Sequence, residues 1–195
     1  DLCIERKHHV VIIDDLSTGS SSNIHFLLSW LDEHHIPENE SGMLFIGQRY
    51  DIRTFDWSTL KTPIDAIIHT AARASIPFSM EQPEISFDHN VKATLRLLEF
   101  AKTKMIPIVF FSSSSVYGDA ESIPTTEDEP LHPSSPYALH KLIGEKYLSL
   151  YNEQYGLRSV SLRPFSVYGE RQPDSDDYRT VLSSFLHQYH QKQPF

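Results

Sequence analysis

Four serines in a row, Ser112 to Ser115, run into Val116-Tyr117-Gly118, and a second motif follows, Ser135-Pro136-Tyr137-Ala138-Leu139-His140-Lys141. Tyrosine and lysine at i and i+4 share one face of a helix, so Tyr137 and Lys141 can point into the same cleft. A free phenol titrates at about 10 and is a poor base at neutral pH, whereas an ammonium held beside it favours the phenolate. A serine hydroxyl at the end of a neighbouring strand can then bridge to the substrate oxygen that Tyr137 deprotonates. The set suits oxidation of an alcohol. The competing reading is a packed aromatic beside a solvated charge, which this spacing produces in many helices.

The elements that must position these residues are legible. Ser135 is a good N-cap, Pro136 fits the first helical position, and Leu139, Leu142, Ile143, Tyr147, Leu150 and Tyr151 recur at helical spacing before Gly156 offers a stop, which predicts a helix over 136–155. Apolar runs over 10–13, 43–46, 64–69, 106–111 and 159–162 read as buried parallel strands. Helical patterns over 23–34, 83–104, 136–155 and 178–191 alternate with them, which predicts a doubly wound parallel α/β sheet of Rossmann type. Ligands of such sheets sit beyond the carboxyl ends of the strands. That rule selects Asp14-Asp15, Asp51, Thr70-Ala71-Ala72, the serine run and Pro164-Phe165-Ser166. Residues 119–134, acidic and proline-bearing, read as a surface loop near the cleft.

Asp14 closes the strand Val10-Val11-Ile12-Ile13, where a carboxylate can accept from the ribose hydroxyls of a dinucleotide and repel a 2′-phosphate, favouring NAD over NADP. The segment Asp14-Asp15-Leu16-Ser17-Thr18-Gly19 reads equally well as a turn with a capping aspartate. A glycine-rich phosphate loop normally precedes such an acid by about 20 residues. Only thirteen residues precede Asp14 and the first glycine is Gly19, so that loop, with the first strand and most of the first helix, is expected outside this sequence.

With 195 residues, 39% hydrophobic and 22% charged, the chain can bury a real core and reads as one domain with a possible cut-off second. A net charge of -9 argues against nucleic acid and anionic membrane surfaces. The single cysteine, Cys3, excludes an internal disulfide and a cysteine-based zinc site and fits a reducing cytosol. Apolar runs fall short of the roughly 18 residues of a span, and no basic-then-apolar signal pattern opens the chain. The histidine pairs His8-His9, His34-His35, and His187 with His190 lack metal-ligand spacing, so no metal is expected.

In order along the chain, Val11 to Gly19, Asp51-Ile52-Arg53, Ile68-His69-Thr70-Ala71-Ala72, His89-Asn90-Val91, Ser115-Val116-Tyr117-Gly118, Tyr137 to Lys141 and Leu162 to Gly169 resemble the extended short-chain dehydrogenase/reductase family. Within it they are similar to NAD-dependent nucleotide-sugar epimerases of the UDP-glucose 4-epimerase type. The resemblance implies that Asp14 and Asp15 hold the adenosine ribose and that Asp51 and Ile52 line the adenine pocket. By the same resemblance Thr70, Ala71 and Arg73 pass beside the cofactor, with His89 near it, and Asn90 is a structural polar residue. Ser113 takes the position of the catalytic hydroxyl, Tyr137 that of the base, and Lys141 that of its electrostatic partner and ligand of the nicotinamide ribose. Phe165 and Val167 flank the nicotinamide. Ser166 stands where many relatives carry an asparagine that touches the nucleotide sugar.

The implied chemistry is epimerisation of a UDP-hexose at C4 through a 4-keto sugar. Dehydratases and decarboxylases of the family place an acid directly after the catalytic hydroxyl or two positions on, and Ser114 and Ser115 stand there instead. The resemblance further implies a cytoplasmic homodimer formed by the helices around 83–104 and 136–155, a cofactor-binding part over 1–170, and the start of a substrate-binding region over 171–195. Two alternatives stay open. One is a noncatalytic dimerising scaffold, or a fragment, derived from such an enzyme; the other is a nucleotide-sugar keto-reductase.

Overall fold

The computed structural model describes residues 10–33, 43–46, 50–169, 172 and 181–191. They fall into two compact units, residues 1–55 with 170–173, and residues 56–169 with 174–195. Cys3, His8-His9 and His34-His35 lie outside the described residues.

In the first unit, β1 (Val10–Ile13), α1 (Ser21–Glu33) and β2 (Met43–Ile46) follow one another. The two strands pair in parallel, Val10 opposite Met43 through Ile13 opposite Ile46. Helix α1 begins two residues before the apolar pattern suggests, because Ser20 Oγ accepts from Ser22 N at 3.2 Å and caps the first turn.

The second unit carries a three-stranded parallel ladder in the order β3 (Ile67–His69), β4 (Ile108–Phe111), β5 (Ser159–Leu162). Helices α2 (Ile76–Glu81), α3 (Pro83–Phe87) and α4 (Ala93–Lys104) connect β3 to β4, α5 (Pro136–Tyr155) connects β4 to β5, and α6 (Val181–Gln191) follows. Every strand pair is parallel among the described residues, the βαβ arrangement that the alternating sequence pattern predicts.

Two strands are shorter than their apolar runs. Met105 ends α4 in the left-handed conformation (φ 54) and Ile106 N donates to Ala101 O at 3.0 Å, so Ile106 serves the helix cap rather than the sheet. Pro107 has no N–H to donate, and β4 starts at Ile108. At β3 the ladder begins where Ile67 N reaches Pro107 O at 2.9 Å.

The predicted helix 83–104 runs through as α3, a π-helical turn over Asp88–Lys92 and α4, with right-handed helical backbone at both junctions. Thr94 Oγ1 donates back to Asn90 O at 2.7 Å, a side-chain bond of the kind that bends helices. Helix α2 has no counterpart among the predicted elements; Ser75 caps it by accepting from Phe78 N.

The core gathers Leu97, Leu98, Ala101, Phe110, Val116, Ala138, Leu148 and Leu157, all nearly fully buried. Helix α5 opens on Ser135, whose Oγ accepts from Ala138 N at 3.2 Å, and closes on Gly156 at φ 71, as the sequence predicts. Gly144 brings this helix onto β4: a Cβ there would lie 2.7 Å from Phe110 Cζ. Among the described residues, no helix is long and apolar enough to cross a membrane.

Candidate active site

Ser113 is brought together beyond β4 with two residues of α5, Tyr137 and Lys141. Ser113 follows the strand and caps the 3-10 turn Ser114–Tyr117, its Oγ accepting from Ser115 N at 3.2 Å and from Ser115 Oγ at 2.7 Å. Tyr137, in the first turn of α5 and 8% exposed, has its phenol within hydrogen-bonding reach of the Ser113 side chain. Lys141, one turn on and 3% exposed, donates from Nζ to Phe111 O at 2.7 Å, with the Phe110 and Tyr137 ring centroids 5.0 and 6.0 Å away.

The electrostatics differ from the sequence expectation. Burial pushes the Tyr137 phenol above its ordinary value, and the Ser113 hydrogen bond opposes this only in part. Burial also brings the Lys141 ammonium down to about 8. Lys141 therefore does not by itself turn Tyr137 into a phenolate, because its Nζ is engaged by the Phe111 carbonyl and desolvation of the phenol is the larger effect.

Behind the pair, His69 at the end of β3 is buried and held far down at about 3, first by desolvation and then by the Lys141 charge. Its Nε2 lies 2.9 Å from Thr94 Oγ1. His140 is likewise lowered by burial, and its Nδ1 lies 3.2 Å from Ser86 Oγ.

Two polar side chains hold the first turn of α5 and the loop after β3. Ser79, which the sequence does not single out, accepts through Oγ from Tyr137 N at 3.1 Å and satisfies one of the orphan donors of the helix start. Asn90 clamps the Arg73 backbone, accepting from its N at 2.9 Å and donating to its O at 3.2 Å, and Asn90 Nδ2 also donates to Ser86 Oγ at 3.2 Å. Asn90 thus has the structural role expected of it, and it fixes the loop that carries Thr70, Ala71 and Arg73. Thr70 and Ala71 are exposed, His89 in the π turn is half-buried, and the Arg73 guanidinium lies 4.4 Å over the Phe78 ring centroid.

A second group missed by sequence reasoning is the ion pair between Glu145, one turn beyond Lys141, and Arg163, one residue beyond β5. Arg163 Nε reaches Glu145 Oε1 at 2.9 Å and Nη2 reaches Oε2 at 2.7 Å, a bidentate fork. Ser112 Oγ donates to Glu145 Oε1 at 2.5 Å and Arg163 Nη1 donates to Tyr117 Oη at 2.9 Å. The carboxylate is the first cause of the raised Arg163 pKa. Its i+4 spacing from Lys141 was the available signal.

Beyond β5, Phe165 and Val167 expose 57% and 67% of their surface, and Phe165 stacks 6.0 Å from Tyr117. Ser166 sits between them at φ 41, a left-handed conformation that asparagine tolerates better than most residues.

The remaining predicted residues belong to the first unit. Asp14 Oδ1 accepts from Leu16 N at 2.7 Å and Asp15 Oδ1 from Ser17 N at 2.8 Å, so both form side-chain turns after β1. Asp51 accepts from Arg53 N at 2.8 Å and is forked by the Arg53 guanidinium, with Ile52 between them half-buried. Among the described residues no group of three His, Cys, Asp or Glu could hold a metal.

A parallel βαβ scaffold that presents Ser, Tyr and Lys together beyond a strand end defines the short-chain dehydrogenase/reductase class. The model of the NAD-dependent epimerase/dehydratase family matches residues 1–195. The chain belongs to that family. It is 34% identical over 188 residues to a putative UDP-glucose 4-epimerase of Methanocaldococcus jannaschii, covering 95% of this chain and 56% of that one. Among solved structures it is similar to the UDP-N-acetylglucosamine 4-epimerase of Methanobrevibacter ruminantium in complex with UDP-N-acetylmuramic acid (TM-score 0.85, 32% identity, 99% of this chain and 58% of that one). It is also similar to the UDP-glucose 4-epimerase of Thermus thermophilus in complex with NAD (TM-score 0.79, 31% identity, 99% and 58%). The chain thus spans about half the length of the relatives it matches.

Proposed function

We propose that this chain is the cofactor-binding part of an NAD-dependent enzyme that interconverts a UDP-hexose and its C4 epimer through a 4-keto sugar. The observation that carries the reading is the meeting of Ser113, Tyr137 and Lys141, three residues from two elements that a scaffold has no need to bring together. Residues 1–170 form the cofactor-binding part and 171–195 lead toward the substrate-binding region.

The residues present fit NAD. Arg73 Nε is buried without a hydrogen-bond partner among the described residues, a donor left for a ligand on the loop that also exposes Thr70 and Ala71. Phe165 and Val167 leave apolar surface exposed beyond β5, suited to a flat ring. Asp14 and Asp15 would hold the adenosine ribose, Asp51 and Ile52 the adenine, Thr70, Ala71, Arg73 and His89 the middle of the cofactor, and Lys141 the nicotinamide ribose. The chemistry NAD supplies when bound is reversible acceptance of a hydride from the sugar carbon.

The residues of the chain handle the proton. Ser113 donates to the sugar O4, and Tyr137 Oη removes the O4 proton as the C4 hydride leaves. After the keto sugar presents its other face and the hydride returns, Tyr137 gives the proton back, so the net proton count is unchanged. Before the sugar binds, the single Ser113 O–H is free to face Tyr137. With the sugar bound it donates to O4 instead, which leaves Lys141, 6.0 Å from the Tyr137 ring centroid, as the charge that stabilises the phenolate this requires. Ser114 and Ser115 supply hydroxyls where water elimination needs a carboxyl group. Ser166 would face the nucleotide sugar.

The exposed Met80, Ile85, Phe87, Leu139 and Leu150 of α2, α3 and α5 support a homodimer, and the single cysteine supports a cytoplasmic setting. The test is NMR product analysis of the full-length protein with UDP-glucose and UDP-N-acetylglucosamine. The expected product is the C4 epimer alone, and accumulation of a 4-keto-6-deoxy sugar refutes the reading.

A further inference from the structure

We infer that Ser115 is a positioning residue that makes Ser113 a one-way hydrogen-bond donor toward the reacting oxygen. The inference rests on Ser113 and Tyr137 forming the reacting pair. A serine oxygen has two lone pairs and one hydrogen. Ser115 N at 3.2 Å and Ser115 Oγ at 2.7 Å both donate to Ser113 Oγ. Both lone pairs are then filled, and the only polar function left to Ser113 is its own O–H.

The group within reach of that hydrogen is the Tyr137 phenol. With both lone pairs taken by Ser115, Ser113 can meet the Tyr137 oxygen only as a donor, and a donor to the phenolic oxygen stabilises its anion. Without the Ser115 hydroxyl, Ser113 can rotate and accept from the neutral phenol instead, which favours the wrong protonation state. A carboxylate at position 115 would go further and take the Ser113 proton for itself. Ser115 therefore does more than leave a gap where a dehydratase carries an acid; its hydroxyl aims the neighbouring donor.

The other groups that act on Tyr137 stay fixed in a Ser115 variant. They are Lys141 on the same helix, whose Nζ is 6.0 Å from the ring centroid, and Ser79 of α2 at the Tyr137 backbone N. His69 of β3 is coupled to Lys141 and is neutral over the working range.

The test uses full-length protein with Ser115→Ala, Ser115→Thr and Ser115→Asp, each first checked for unchanged unfolding temperature. The first readout is the tyrosinate absorbance titration of Tyr137, obtained by subtracting the same titration of a Tyr137→Phe partner. Ser115→Ala should move Tyr137 to higher pH, and kcat for the UDP-hexose should fall about five- to tenfold at constant KM, the loss of one aligned hydrogen bond. Threonine keeps the hydroxyl and should restore both. Ser115→Asp should raise the Tyr137 titration beyond that of Ser115→Ala.

An unmoved Tyr137 titration in Ser115→Ala, or a threonine variant that behaves like alanine, overturns the inference whatever the turnover does. If the wild type converts no UDP-hexose, the epimerase reading fails, and the absorbance titration alone decides on Ser115.

Discussion

Removing the Glu145 carboxylate should unfold the second unit more readily than any neighbouring surface change. Breaking a buried ion pair by deleting one partner costs ~3–5 kcal/mol, because the other charge is left uncompensated. The Glu145 side chain is 9% exposed and that of Arg163 is 23% exposed, so water can reach the stranded guanidinium in part and the lower end of that range applies. Ser112 also loses its acceptor, which restores about 1 kcal/mol of cost. Glu145→Ala is therefore expected to destabilise by about 3–4 kcal/mol. Glu145→Gln, which keeps an acceptor for Ser112, should cost about 1–2 kcal/mol. The double variant Glu145→Leu with Arg163→Met should recover about 2 kcal/mol or more relative to the sum of its single variants. The assay is urea unfolding followed by Trp57, which stacks on Phe100 in this unit, in a Trp30→Phe background so that the second of the two tryptophans is silent. A loss under about 1 kcal/mol for Glu145→Ala at unchanged m-value, or additive single and double variants, would show that the fork contributes no more than an exposed pair.

Three further outcomes are expected. Tyr137→Phe should lower turnover of the full-length enzyme by about 100- to 10,000-fold with an unchanged circular dichroism spectrum; near-normal turnover would remove Tyr137 from its role. His69 is held at about 3 against an ordinary 6.5, so the unfolded chain binds the extra proton between those values. Its contribution is complete above about pH 6.5 and is lost as the pH falls through about 3. His69→Gln should flatten this acid limb in urea midpoints measured across that window, and an identical slope would contradict the assignment. Gly144→Ala should cost about 1–3 kcal/mol by thermal unfolding, since the added methyl would stand 2.7 Å from a fully buried ring; no change in unfolding temperature would mean that Phe110 moves aside freely.

Much of the scaffold was readable because its signals are local. Ser135, Pro136 and Gly156 delimit α5 by capping chemistry alone, and the apolar runs locate the five strands of the described residues. The misses are of another kind. Ile106 looks like strand and is spent on the cap of α4, a choice made by the left-handed Met105. The π turn at Asp88–Lys92 has no periodic signature within a single helical stretch. Asp14 reads two ways in the sequence, and the structure shows its carboxylate engaged in the turn after β1. Ser79, Glu145 and Arg163 were missed because their partners lie far away in the chain: Ser79 meets Tyr137, and Arg163 meets Glu145 and Tyr117. Such pairs are set by packing, which composition and periodicity do not encode.

The same packing decides the charge state of the centre. Burial acts on three ionisable groups at once and favours the neutral form of each: Tyr137 moves up, Lys141 comes down to about 8, and His69 falls to about 3. At pH 7 a lysine of that value is still about nine-tenths charged, whereas His69 is wholly neutral. The order matters, because a charged imidazole at the end of β3 would repel the ammonium and drive Lys141 further down. Thr94 Oγ1, which itself donates to the Asn90 carbonyl of the π turn, accommodates the neutral ring at 2.9 Å. The resting centre is thus a phenol beside one retained cation. That cation sits on the Phe111 carbonyl, and Ser113 supplies the hydrogen bond that opposes burial at Tyr137. Tyr137 therefore has to shed its phenolic proton before it can act as the base of the reaction proposed above. Once ionised it takes up the substrate proton and later returns it, so the proposed inversion leaves the proton count unchanged.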